Sequence, residues 1–156
     1  MISFYKVKYS IHLFSLVTLG LQLIVKAQSL PFKHLSTKDG LSNNYVNNIV
    51  QDKSGFLWFT TDDGLNRFDG YDYKIFRNER SDKNSISDNA TISIIEDEDG
   101  KIWIGTKNGF IDCYDPVHNK FTRWEIPSTD GKDNPINVIC KKKKKNVWIG
   151  TYRNGL

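Results

Sequence analysis

Cysteine is too scarce in this chain to build a disulfide scaffold or a thiolate metal site: Cys113 and Cys140 are the only two in 156 residues. On the strand reading given below they fall on a third strand and on the first strand of the next unit. Those strands are not neighbours, so no disulfide is expected. Histidine is equally thin, and His12, His34 and His118 do not stand at metal-ligand spacing. No Gly-x-Ser-x-Gly, phosphate loop or kinase signature is written in the chain. The longest apolar stretch, Ile11 to Val25, is broken by His12 and Gln22. It falls short of the ~20 apolar residues of a spanning helix. Charge of one sign is not in large excess, with 22 Lys and Arg against 18 Asp and Glu. The common catalytic, metal-binding and membrane-spanning classes therefore have no foothold.

The first 27 residues look like an address. Lys6 and Lys8 precede the apolar stretch, and Val25-Lys26-Ala27 offers small or apolar residues where a signal peptidase reads. Residues 1–27 are expected to form a secretory signal helix cleaved between Ala27 and Gln28. Its loss removes three lysines and no acid, which lowers the formal net charge from +4 to +1. An exported chain so close to neutral is not expected to contact nucleic acid directly.

Aromatics, by contrast, make up 13% of the chain, and three of them keep a fixed beat: Trp58, Trp103 and Trp148 stand 45 residues apart. Their neighbours match too. Asp52, Gly55, Trp58, Thr61 and Gly64 recur as Asp97, Gly100, Trp103, Thr106 and Gly109. The third copy keeps Trp148, Thr151 and Gly155. A period of about 45 residues in a β-rich chain points to stacked propeller blades.

One period reads as four short strands. Val46 to Val50 ends apolar, and Asp52-Lys-Ser-Gly55 is a turn in which Asp bonds the backbone and Gly supplies positive φ. Phe56 to Thr61 is aromatic and β-branched. After a second turn at Asp62-Asp-Gly64 come Leu65 to Asp69 and Tyr73 to Phe76. The second copy offers Ile92 to Ile95, Lys101 to Thr106, Phe110 to Tyr114 and Lys120 to Trp124, with Phe121 set 45 residues after Phe76 as its counterpart. The fold expected is an all-β incomplete propeller of about two and a half four-stranded blades. It divides into a lead-in segment (28–45), blade 1 (46–90), blade 2 (91–135) and a truncated blade 3 (136–156). Propellers close with ~4–8 blades, so the chain is read as a fragment completed by further blades of the same protein.

Simple structural readings account for most of the motif. The acidic turns offer hard oxygens, but β-turns want Asp and Gly for backbone reasons alone, and EF-hand spacing is absent. No metal and no cofactor is expected. Each repeated Trp is expected to bury its ring between adjacent sheets, because its position recurs in every unit. Lys141 to Lys145 replaces the Asp-x-x-Gly turn in the third copy, and reads as a solvated turn at a blade edge, as a patch for an anionic ligand, or as an error in an adenine-rich stretch of the coding sequence.

The pattern Asp-x-x-Gly-x-x-Trp-Ile-Gly-Thr-x-x-Gly-Leu resembles the two-component regulator propeller repeat of bacterial sensors. The opening, with Asp39-Gly-Leu-Ser-Asn43, Gln51-Asp52 and Gly64-Leu-Asn-Arg-Phe-Asp-Gly70, resembles the first blade of the periplasmic region of hybrid sensor histidine kinases. The resemblance implies a periplasmic sensor of two propellers and a β-sandwich, followed by a membrane helix, a kinase core, a receiver and a DNA-binding domain. It implies a small-molecule or oligosaccharide ligand, membrane tethering by downstream segments and, as a further expectation, a homodimer. It assigns no catalytic residue and no ligand-binding residue to this chain, which is expected not to be an enzyme itself. The alternatives are a secreted propeller enzyme of lyase or quinone-dependent dehydrogenase type, and an interaction scaffold.

Overall fold

The computed structural model describes residues 30–128, 131–142, 146–153 and 155. The expected signal, with its cleavage point between Ala27 and Gln28, lies outside the described residues, as do residues 143–145 of the lysine run. The chain divides into Met1–His34 and Leu35–Leu156. The second unit carries the fold.

Among the described residues that unit is all-β apart from one 3₁₀ turn, Thr37–Asp39, capped by Ser36. The first sheet is an antiparallel meander of β1 (Val46–Gln51), β2 (Leu57–Thr61), β3 (Gly64–Phe68) and β4 (Tyr73–Phe76). The second repeats it with β5 (Thr91–Glu96), β6 (Ile102–Thr106), β7 (Phe110–Asp115) and β8 (Lys120–Glu125). A third sheet holds β9 (Ile136–Lys142) and β10 (Asn146–Thr151). The backbone of β1 lies beside β5, and that of β5 beside β9, while β4 and β8 fan outward. Sheets that converge on their first strands and splay at their fourth are propeller blades.

The period of two in each strand sends side chains to both sheet faces, and both are buried. Trp58, Leu65 and Phe76 of the first sheet meet Ile94, Ile102, Ile104, Tyr114 and Phe121 of the second. The opposite face of the second sheet, with Ile95, Trp103 and Ile111, meets Ile136, Ile139, Val147 and Ile149. The lead-in segment lays Leu35 and Leu41 on the outer face of the first sheet, against Phe59, Phe68 and Tyr73.

Two expectations need correction. The repeated tryptophans are not equally buried. Trp58 is 1% exposed, Trp103 is half-buried and Trp148 is 49% exposed. The second sheet covers the Trp58 ring, and the third covers the Trp103 ring in part. Second, Phe121 is not the counterpart of Phe76. Leu65 pairs with Phe76, and its equivalent Ile111 pairs with Trp124. Trp58 stacks on Phe76 at 5.8 Å, and Trp103 stacks on Trp124 at 5.4 Å. Phe121 instead faces Tyr114, as Tyr73 faces Phe68.

A bulge recurs at one place. The register slips between Val46 and Asn48, between Thr91 and Ser93, and between Val138 and Ile136 opposite Gly150 and Thr151. The skipped residues, Asn47, Ile92 and Asn137, are equivalent. A bulge bends its strand and re-aims the extra side chain. Asn47 uses this to donate from Nδ2 to Thr91 O of the next sheet (2.9 Å) and to Asp62 Oδ1 (3.1 Å).

Candidate functional site

The motif residues meet at both ends of each β2-type strand. At one end an aspartate closes the turn and holds the indole. Asp52 Oδ1 accepts from Ser54 N (2.9 Å) and Phe56 N (3.0 Å), and Oδ2 accepts from Trp58 Nε1 (2.7 Å). Asp97 repeats this with Asp99 N, Lys101 N and Trp103 Nε1 at 2.9, 2.9 and 2.8 Å. A carboxylate is well suited because it offers about four acceptor sites and strengthens each bond by its charge. Gly55 and Gly100 take positive φ at 91° and 81° to complete the turn. In the third unit Lys142 stands six residues before Trp148, so the sequence offers no carboxylate at that place.

At the other end a threonine closes the second hairpin. Thr61 Oγ1 donates to Gly64 O (2.8 Å), Thr106 Oγ1 to Phe110 O (2.8 Å) and Thr151 Oγ1 to Gly155 O (3.2 Å). Among the described residues, no cluster of three His, Cys, Asp or Glu could hold a metal. Cys113 and Cys140 are free thiols, and burial pushes the Cys113 thiol up to about 11, away from nucleophilic use.

Beside the two aspartate turns a cleft of about 320 Å³ opens along the seam of the first two sheets, walled by Lys53, Phe56, Arg67, Glu96 and Glu98. Arg67 on β3 lies over the Phe56 ring, 4.5 Å from its centroid, and 5.9 Å from that of Trp58. Lys53 crosses the seam, donating from Nζ to Asp97 O (2.9 Å) and Glu98 O (2.8 Å), while its N–H donates to Glu96 Oε1 (3.1 Å). A second cleft of about 230 Å³ lies nearer the outer strands, between Lys74, Arg77, Glu79 and Asn119. Both walls combine charge of either sign with an aromatic surface. That is chemistry for holding a polar ligand by hydrogen bonds, with no nucleophile–base pair in either lining.

Sequence reading did not single out Lys53, Arg67 or Glu96. The signal available was departure between copies. Arg67 pairs with Trp58 where Cys113 pairs with Trp103, so this position is free to specialise while the Asp–Trp pair stays fixed.

The model described as two component regulator propeller matches residues 40–63, 85–108 and 130–153. The chain carries two-component regulator propeller repeats. Each match takes in the aspartate turn, or its lysine replacement, and the Trp and Thr that follow it. A curated relative, "Histidine kinase P4" of Formosa agariphila, is 43% identical over 74 residues, which are 47% of this chain and 5% of the relative. The extracellular domain assigned to the hybrid two component system BT3049 of B. thetaiotaomicron is 32% identical. It superposes with a TM-score of 0.68 over 77% of this chain and 17% of its own length. Virginiamycin B lyase of Staphylococcus aureus shares the fold at 20% identity and a TM-score of 0.54, over 67% of this chain and 33% of the lyase. This chain therefore spans only 5%, 17% and 33% of the lengths of these proteins, and the likeness to a lyase shows that the fold alone does not fix an activity.

Proposed function

We propose that this chain is part of an exported sensor that recognises a small polar ligand, with a glycan fragment as the expected class, and signals through an intracellular histidine kinase. The observation that carries the reading is the run of three regulator-propeller repeats, taken with a histidine kinase relative and a structural neighbour from a hybrid two component system. The clefts support it, being polar, aromatic-walled and without catalytic geometry. Placement on the periplasmic face of an inner membrane, tethering by later segments and pairing of two copies belong to the same proposal.

The reading frame beyond Leu156 provides the test. A membrane helix followed by a kinase histidine box is expected; six to eight blades ending at a stop codon would instead select the secreted enzyme or the scaffold. The ligand class is tested by thermal shift of the exported region against neutral and anionic oligosaccharides. One class is expected to raise the melting temperature in a concentration-dependent way. No shift with any of them would remove the glycan expectation while leaving the sensor reading standing.

A further inference from the structure

The connection between β4 and β5, residues 77–90, is a strap that leaves the outer strand of the first sheet and is pinned to the second. Ile86 is fully buried in the core between them. Phe121 N donates to Asn84 O (3.1 Å). Arg123 Nη2 donates to Ser85 O (2.7 Å) and Lys83 O (3.1 Å). Deepest of all, Asp112 Oδ2 on β7 accepts from both Ser87 N (3.0 Å) and Ser87 Oγ (2.6 Å). Asp112 has no exposed surface, and its Oδ1 has no hydrogen-bond partner. A buried carboxylate with one bare oxygen is a costly arrangement.

The same chain shows how that cost is avoided. Asn66 lies opposite Phe59 as Asp112 lies opposite Ile104, so the two positions are equivalent. Asn66 holds Ser42, which stands 45 residues before Ser87. Its Oδ1 accepts from Ser42 N (2.9 Å), and its Nδ2 donates to Ser42 Oγ (2.7 Å) and Gly64 O (3.3 Å). The amide uses both ends. The acid has no donor to offer unless Oδ1 takes up a proton.

We propose that Asp112 and Ser87 form a proton-operated latch, in which protonation of Asp112 tightens the strap onto the second blade and loss of the proton loosens it. The charged groups that act on Asp112 are Arg123, opposite it on β8, which favours the carboxylate, and Asp88 on the strap, which opposes it. β6 presents apolar Ile104, and the other strap charges, Arg77, Glu79, Arg80, Asp82 and Lys83, are exposed. Burial outweighs the Ser87 bonds and Arg123 and raises the Asp112 carboxyl from 3.8 to about 6. A raised value means that the latched state binds the proton more tightly than the open one. Latching is complete below the ordinary carboxylate range and is lost as pH rises through about 6.

Hydrogen exchange–mass spectrometry of the intact protein on peptides covering residues 77–90 tests the latch, with rates normalised for intrinsic exchange. Protection of the Ser87 region is expected to fall about tenfold between roughly pH 5 and pH 8, the change a carboxyl titrating near 6 produces. Asp112→Asn should flatten the profile, and Asn66→Asp should install a new pH step around Ser42. A flat wild-type profile, or a step that survives in Asp112→Asn, overturns the latch. Should the variants not fold, direct NMR titration of the Asp112 carboxyl in wild type still decides, and an ordinary value near 4 refutes it.

Discussion

At the residue scale the repeat is a hydrogen-bond device before it is a hydrophobic one. One carboxylate satisfies two turn amides and an indole that would otherwise enter the blade seam unpaired. Asp52→Ala removes all three acceptances, and the loss of a bond to a charged group costs ~1.5–3 kcal/mol. Urea unfolding should show a loss of that order, with the m-value unchanged. Trp58→Ala should cost ~3–5 kcal/mol, as expected for a large buried aromatic. Trp103→Ala should cost less, since its ring is half-buried; equal losses would contradict the covering order of the blades. A separate titration belongs to Asp115. Hydrogen bonds from His118, first from its ring and then from its backbone, hold the Asp115 carboxyl down at about 2. The depressed value means that this contribution is present above the ordinary carboxylate range and is lost as pH falls through about 2. His118→Ala should return the carboxyl towards the ordinary range in an NMR titration. The Asp, Trp, Thr and Gly of the motif were legible because they recur. Asp112 was not, because its meaning lies in a contrast with Asn66 that appears only when strand register is known.

At the element scale the turns set the strands. Asp-x-x-Gly and Thr-x-x-Gly bracket β2 and β6, and these strands begin and end within a residue of where composition and turn chemistry place them. The fourth strands lie where expected, Tyr73–Phe76 and Lys120–Glu125, but their mutual register departs from the 45-residue spacing for a definite reason. Four residues separate the paired Phe68 and Tyr73, whereas six separate Tyr114 and Phe121. The added length holds Asn119, whose left-handed backbone (φ 49°) sets Oδ1 to accept from Tyr114 Oη (2.8 Å) and from Lys74 Nζ of the first sheet (3.0 Å). An accidental 45-residue spacing of phenylalanines hid the insertion, since aromatic identity carries no register by itself. At Gly105, between Ser93 of its own sheet and Ile136 of the third, a side chain has no room. A Cβ on Gly105 would lie 2.6 Å from Ile136 Cγ2. Gly105→Ala should therefore force the second and third sheets apart and cost ~1–3 kcal/mol, the range for overpacking. Differential scanning calorimetry should register it as a lowered melting temperature. An unchanged one would mean that this seam is looser than the geometry shows.

At the scale of the whole molecule, stability is a sum of blades and seams, and the seams are unequal. The first is closed by a large aromatic cluster of Trp58, Phe76, Tyr114 and Phe121. The second covers Trp103 only in part and leaves Trp124 46% exposed, although Trp124 holds the place that buried Trp58 finds filled by Phe76. Beyond it, Trp148 is 49% exposed. Apolar surface gathered in this way favours contact with another surface, by ~25 cal/mol for each Å² removed from water. The chain made alone is therefore expected to self-associate through its later sheets. Two measurements bear on this. In single-tryptophan variants, acrylamide should quench Trp148 and Trp124 far more than Trp58 at low protein concentration, and the difference should shrink as concentration rises. Size-exclusion chromatography should show the same concentration dependence. A monomer at every concentration, melting cooperatively above ~60 °C, beyond most mesophile domains, would mean that these faces contribute no drive to associate and that the two complete sheets are sufficient by themselves.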